Sequence, residues 1–181
     1  MSSQDKSTQN ALLRKSALRA RKVAFSSMFA ALALIFSYVE FLVPVPVPIP
    51  GVKLGLANLV IIIAIYRLGF RYAFSINILR ITLSGLLFSG VFGIMYSLAG
   101  GILSILVMYA LYKTNLFSIV GISMAGGVFH NLGQLFAACI IVSNFGLLSY
   151  FSVLFVTGMA SGILIGIAAY FINTRLPLDL K

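Results

Sequence analysis

Read as a pattern of apolar and polar positions, the chain is a series of long apolar runs separated by short groups of Gly, Pro, Asn and basic residues. The runs do not alternate with the two-residue period of a strand, and their lengths suit helices that cross most or all of a bilayer. They fall at residues 23–43, 54–66, 72–89, 93–112, 117–142 and 150–172, which predicts six spans. The first is long enough to cross at ~1.5 Å per residue, whereas the second covers only ~20 Å. The fifth is long enough to predict a tilt or a break.

Between the first two runs lies PVPVPIPGVKLGLAN, residues 44–58, which holds four of the five prolines. Proline at every second position fixes φ and removes backbone donors, so residues 44–50 are expected to be extended. Because the second run is short, this segment is expected to complete the crossing. Non-helical backbone at membrane depth is tolerated only beside protein or a water-filled cavity. Residues 44–52 are therefore expected to form a lid over a binding cavity, hinged at Gly51.

Composition agrees with a membrane protein: 61% of residues are hydrophobic and 9% charged, with a mean hydropathy of +1.09, outside the range of soluble domains. The formal net charge of +10 raises nucleic acid as a partner, but the placement of the cations argues against it. Lys6, Arg14, Lys15, Arg19, Arg21 and Lys22 precede the first span and suit a cytoplasmic anchor on anionic lipid. Residues 11–22 are expected as either an interfacial helix or a disordered basic tail. A cleavable signal peptide fits less well, because the run at 23–43 is too long and lacks a small-x-small cleavage site. With the N-terminus cytoplasmic, Arg67, Arg71, Lys113, Arg175 and Lys181 also fall inside, and only Lys53 falls outside. The expected organisation is a basic tail at 1–22, a six-helix transmembrane domain at 23–175 and a short tail at 176–181, in the cell membrane with both termini cytoplasmic. The single cysteine, Cys139, permits no internal disulfide.

Small residues mark packing faces. Gly158, Gly162 and Gly166 make two successive G-x-x-x-G steps that let another helix approach closely. In the first span Ser26/Ala30 and Ser27/Ala31 form small stripes at i, i+4, suited to internal packing or to a partner protein.

Ionisable groups inside spans are costly and mark candidate sites. Arg80 lies eight residues into the third span and shares a face with Asn77 and Ser84. The acidic residues are Asp5, Glu40 and Asp179, which leaves Glu40 as the one carboxylate able to face Arg80 in the membrane. Arg80 can form a structural bridge to Glu40 or cap carbonyls; alternatively its planar fork can hold an anionic ligand. In the fifth span Gly126, His130 and Gln134 follow at i, i+4, i+8 with Asn131 beside them, either an interhelical hydrogen bond or a ligand wall. Lys53 and Asn58 bring a cation and an amide to the start of the second span. The candidate substrate-binding set is Glu40, Lys53, Asn58, Asn77, Arg80, His130, Asn131 and Gln134; its positive balance suits a neutral or anionic substrate.

Several enzyme classes lack their residues. No P-loop occurs, no pair of neighbouring acids can hold Mg²⁺ on a diphosphate, and His130 has no second ligand at metal spacing. The run from Gly158 to Gly162 contains Ser161 but suits a packing helix better than a nucleophile turn. The chain is thus expected to be neither a catalyst nor a cofactor protein.

At PGVKLGLAN (50–58), Arg80 and HNLGQ (130–134) the chain resembles the Gx transporter family, also called heptaprenyl diphosphate synthase component I. The resemblance covers about residues 23–175. The family is similar to the S components of energy-coupling factor transporters, which implies a six-helix, substrate-binding membrane subunit driven by a transmembrane coupling subunit and two cytoplasmic ATPases. It further implies docking through a small-residue motif on the first helix, here Ser26/Ala30 or Ser27/Ala31, with serine at the first position. The expectation is therefore a subunit of an ATP-driven transporter for a vitamin-like or small anionic or neutral metabolite. The alternative is a non-catalytic membrane subunit associated with heptaprenyl diphosphate or quinone biosynthesis, and a third reading is a stand-alone facilitator.

Overall fold

The computed structural model describes residues 3–42 and 55–175. The expected lid at 44–52 with its hinge Gly51, the cation Lys53 and the tail at 176–181 lie outside the described residues. Every described element is helical: α1 (Ser3–Leu42), α2 (Leu56–Arg67), α3 (Phe70–Ser84), a π-helical turn (Gly85–Ser89), α4 (Gly90–Thr114), α5 (Ile119–Ile141), a 3₁₀ segment (Phe145–Tyr150) and α6 (Phe151–Arg175). Among the described residues, four stretches are long and apolar enough to cross a membrane: Leu12–Leu42, Phe70–Thr114, Ile119–Ile141 and Phe145–Arg175. The six expected runs thus correspond to these four stretches, one of which contains both α3 and α4, plus the short helix α2.

The structure refines the sequence expectation at three places. The basic segment is neither a tail nor a separate helix but the first half of a 40-residue α1. No Gly or Pro interrupts residues 3–42, and the Ala, Leu, Arg and Lys that fill its first half are good helix formers. α5 has no break: its glycines pack against neighbours and leave the helix continuous. α5 begins where the Ser118 hydroxyl caps the Gly121 amide at 3.2 Å. Between α3 and α4 the chain reverses at Gly90, whose φ of 72° and ψ of 176° lie in a region essentially reserved for glycine.

The core is built around α2. From Ala57 to Ile65 nearly all its side chains are buried, and it is packed by α1, α3, α4, α5 and α6. Its run of isoleucines would be a weak helix former alone; apolar burial on every side overrides that preference. The other tight seam joins α5 to α6. A Cβ on Gly127 would lie 2.4 Å from the Gly158 carbonyl oxygen, and one on Gly162 would lie 2.7 Å from the Met124 Cα. Gly158, Gly162 and Gly166 therefore face α5 within the chain. α4 meets α5 similarly, where a Cβ on Gly133 would lie 2.8 Å from the Gly100 Cα.

At the opposite end from the π turn, Arg67 clasps α2 to α6. Its Nε donates to the Asn173 Oδ1 at 2.7 Å and its Nη2 donates to the Asn173 carbonyl. In α1, Ser26 and Ala30 are half-buried and Ala30 packs on the core, whereas Ser27 and Ala31 are exposed. The two small-residue stripes thus face different surroundings, one inward and one outward.

Candidate functional site

α1, α3 and α5 end, and α4 and α6 begin, at the end of the bundle that carries the π turn. A cavity of about 660 Å³ opens among them, bounded by Ser37, Glu40 and Phe41 of α1, Arg80 and Ser84 of α3, and Asn131 and Gln134 of α5. α4 contributes Tyr96 and Ser97, and the 3₁₀ segment Leu147 and Tyr150.

Arg80 is held from behind. Its Nε donates to the Asn77 Oδ1 at 3.1 Å, and the Asn77 Nδ2 donates in turn to the Gly101 carbonyl of α4 at 3.0 Å. Nη1 reaches the Ser37 hydroxyl at 3.5 Å, a weak contact. A guanidinium has five N–H donors; these contacts orient the group and leave donors for the cavity that it lines. Asn77, 1% exposed, is thus a support for Arg80 and not part of the cavity wall. The π turn follows Ser84 directly, and its wider turn keeps Phe88 and Ser89 on the face begun by Arg80 and Ser84.

Glu40 has a second task. Its Oε1 accepts from the Leu56 amide at 2.7 Å, at the start of α2. Gly55, which precedes α2, offers no side-chain cap, so a carboxylate sixteen positions earlier fills the role. A negative charge suits the positive end of a helix. Glu40 also stands near enough to Arg80 to act on it electrostatically, but the Arg80 hydrogen bonds go to Asn77 and Ser37.

In α5 the sequence-expected trio separates. Gln134 and Asn131 line the cavity, and the Asn131 Nδ2 donates to the Leu154 carbonyl of α6 at 2.8 Å. His130 packs against α4, where a Cβ on Gly100 would lie 3.2 Å from its Nδ1. His130 is not among the cavity-lining residues; it sits beside Gly100 of α4. Asn58, in the first turn of α2, is also not among the cavity-lining residues. Of the expected binding set, then, the described structure brings together Glu40, Arg80, Asn131 and Gln134, with Asn77 behind Arg80.

Sequence reasoning missed the aromatic part of the wall, Phe41, Phe88, Tyr96 and Tyr150. Aromatic residues near span ends carry no separate signal, since membrane interfaces enrich them anyway. Ser84 was visible at i+4 from Arg80 but chemically unassigned.

Comparison with family models matches residues 29–172 to heptaprenyl diphosphate synthase component I. The chain belongs to that family. No curated protein and no solved structure matches it. In this component I protein the matched stretch begins at Phe29, the first buried residue of α1, and includes every residue of the cavity wall. The basic half of α1 lies outside it. The family's name describes one component of a larger assembly.

Proposed function

We propose that the chain is the substrate-binding membrane subunit of an ATP-driven, energy-coupling-factor-type transporter for a vitamin-like or small anionic or neutral metabolite. The observation that carries this reading is the cavity with Arg80 in its wall. A membrane protein that keeps a supported guanidinium beside a cavity of small-molecule size has the makings of a ligand site. The reading includes six crossings. Phe70–Thr114 is 45 residues long, about twice a single span, and is folded at Gly90. Arg67, Arg71, Lys113 and Arg175 sit at the helix ends away from the cavity, so the positive-inside rule puts both termini in the cytoplasm and the cavity at the outer face. The chain itself is not a catalyst in this reading, and energy comes from a coupling subunit and two ATPases docked through α1. The test is affinity purification in mild detergent. Recovery of a coupling subunit with ATPases is the expected result; their absence, with ATP-independent flux in liposomes, would sink it in favour of a facilitator.

The family name favours a second reading, a non-catalytic membrane subunit associated with heptaprenyl diphosphate synthesis. It predicts co-purification of a soluble, aspartate-rich synthase and no ATPase.

A further inference from the structure

The cavity is graded along its length. At the floor Arg80, Ser37, Ser97, Asn131 and Gln134 supply one cation, two hydroxyls and two amides. Towards the mouth the wall becomes mainly apolar and aromatic, with Phe41, Phe88, Val142, Leu147 and Tyr150, and its polar groups there are Glu40 and Ser89. From Gln134 to Val142 along α5 the rise is about 12 Å, which sets the depth. The Phe88 ring is itself fixed, lying 5.1 Å from the Phe41 ring and 5.6 Å from the Tyr38 ring of α1. These ring contacts tie the π turn to α1 and fix one aromatic surface of the cavity wall.

We infer that the ligand is an amphiphilic anion, one oxyanion carried on an aromatic body, which binds with the oxyanion on Arg80 at the floor and the ring system between the aromatic side chains at the mouth. This deepens the transporter reading and rests on it only for the site's purpose. The Arg80 fork sets the head. Its paired N–H donors fit the two oxygens of one carboxylate or one phosphate. Aromatic walls favour a ring, which stacks with little entropy loss, over a flexible acyclic tail.

The test is binding to the purified chain in phosphatidylcholine nanodiscs by equilibrium dialysis, with empty nanodiscs subtracted. The probes are 2-naphthoate, 2-naphthyl phosphate, neutral 2-naphthamide and acyclic farnesyl diphosphate. Either naphthyl anion is expected to bind at least tenfold more tightly than the amide and than farnesyl diphosphate, since a charge-assisted fork contact in a buried site contributes about that factor or more. The two anions report separately whether carboxylate or phosphate is the preferred head. Arg80→Lys, which keeps the charge and loses the fork, should weaken the anions about tenfold and leave the amide unchanged, and Phe88→Leu should weaken all three naphthyl probes. Equal binding of amide and anions, tighter binding of farnesyl diphosphate, or no binding of either naphthyl anion by the folded wild-type chain would overturn the inference. The wild-type comparison decides even if a variant misfolds. Recovery of ATPases without naphthyl-anion binding would refute this ligand class alone; naphthyl-anion binding without ATPases would refute the transporter reading alone.

Discussion

Removing the Glu40 carboxylate should loosen the start of the central helix. The Oε1 contact to the Leu56 amide is 2.7 Å, and Gly55 has no side chain that could replace it. Loss of a helix cap costs ~1 kcal/mol on average, and loss of a negative charge at a partly buried helix start adds up to ~1–2 kcal/mol. Glu40→Ala should therefore cost about 2–3 kcal/mol, whereas Glu40→Gln keeps an acceptor and should cost only ~1 kcal/mol. For a chain of this size each kcal/mol lowers Tm by ~2–4 °C. Far-UV circular dichroism melts in detergent measure the difference. Hydrogen exchange localises it: the Leu56 amide should lose protection in the alanine variant, with the Ile62–Ile65 amides affected far less. If alanine and glutamine variants melt together, or if Leu56 exchange stays at the wild-type rate in Glu40→Ala, the cap reasoning is wrong.

Asn77→Ala removes the support behind Arg80 and one bond to α4; a hydrogen bond to a charged group contributes ~1.5–3 kcal/mol, so a melt lowered by several degrees is expected together with weaker 2-naphthoate or 2-naphthyl phosphate binding, though Asn77 does not line the cavity. Unchanged anion binding would show that Arg80 needs no positioning. Gly162→Leu should be strongly damaging, because its Cβ would sit 2.7 Å from backbone; overpacking of ~3 kcal/mol or more should appear as loss of monodisperse protein on gel filtration. Arg67→Ala should open the α2–α6 clasp and speed amide exchange around Asn173, with naphthyl-anion affinity unmoved because the clasp is at the far end of the bundle from the cavity.

Much of the helix pattern was legible because apolar run length and glycine punctuation are local properties. Residues 93–112 and 150–172 come out within a few residues of α4 and α6 for that reason. The centrality of α2 was not legible: a thirteen-residue apolar run reads as an incomplete crossing, and only the packing of five other helices around it shows that it is the core. Arg80 stood out because charge is rare in such runs, and Asn131 and Gln134 because they cluster with His130 among the glycines of the fifth span. The role of Glu40 at α2 was hidden, since the contact spans sixteen residues and the helix start it serves has no cap residue of its own. His130 stood out as a histidine in an apolar helix; the structure places it beside Gly100 of α4 and not among the cavity-lining residues.

The unbroken α1 also has a mechanical meaning. A helix of 40 residues is about 60 Å long, and with no glycine or proline within it there is no built-in joint. Residues 12–21 of its basic half are exposed, while Ser37 and Glu40 at the other end touch the cavity. Such a rod works as a lever: a swing of about 10° around its middle carries each tip through roughly 5 Å. Force applied to the arginines and lysines in water would reach the cavity wall as displacement, with the direction reversed and little lost to bending.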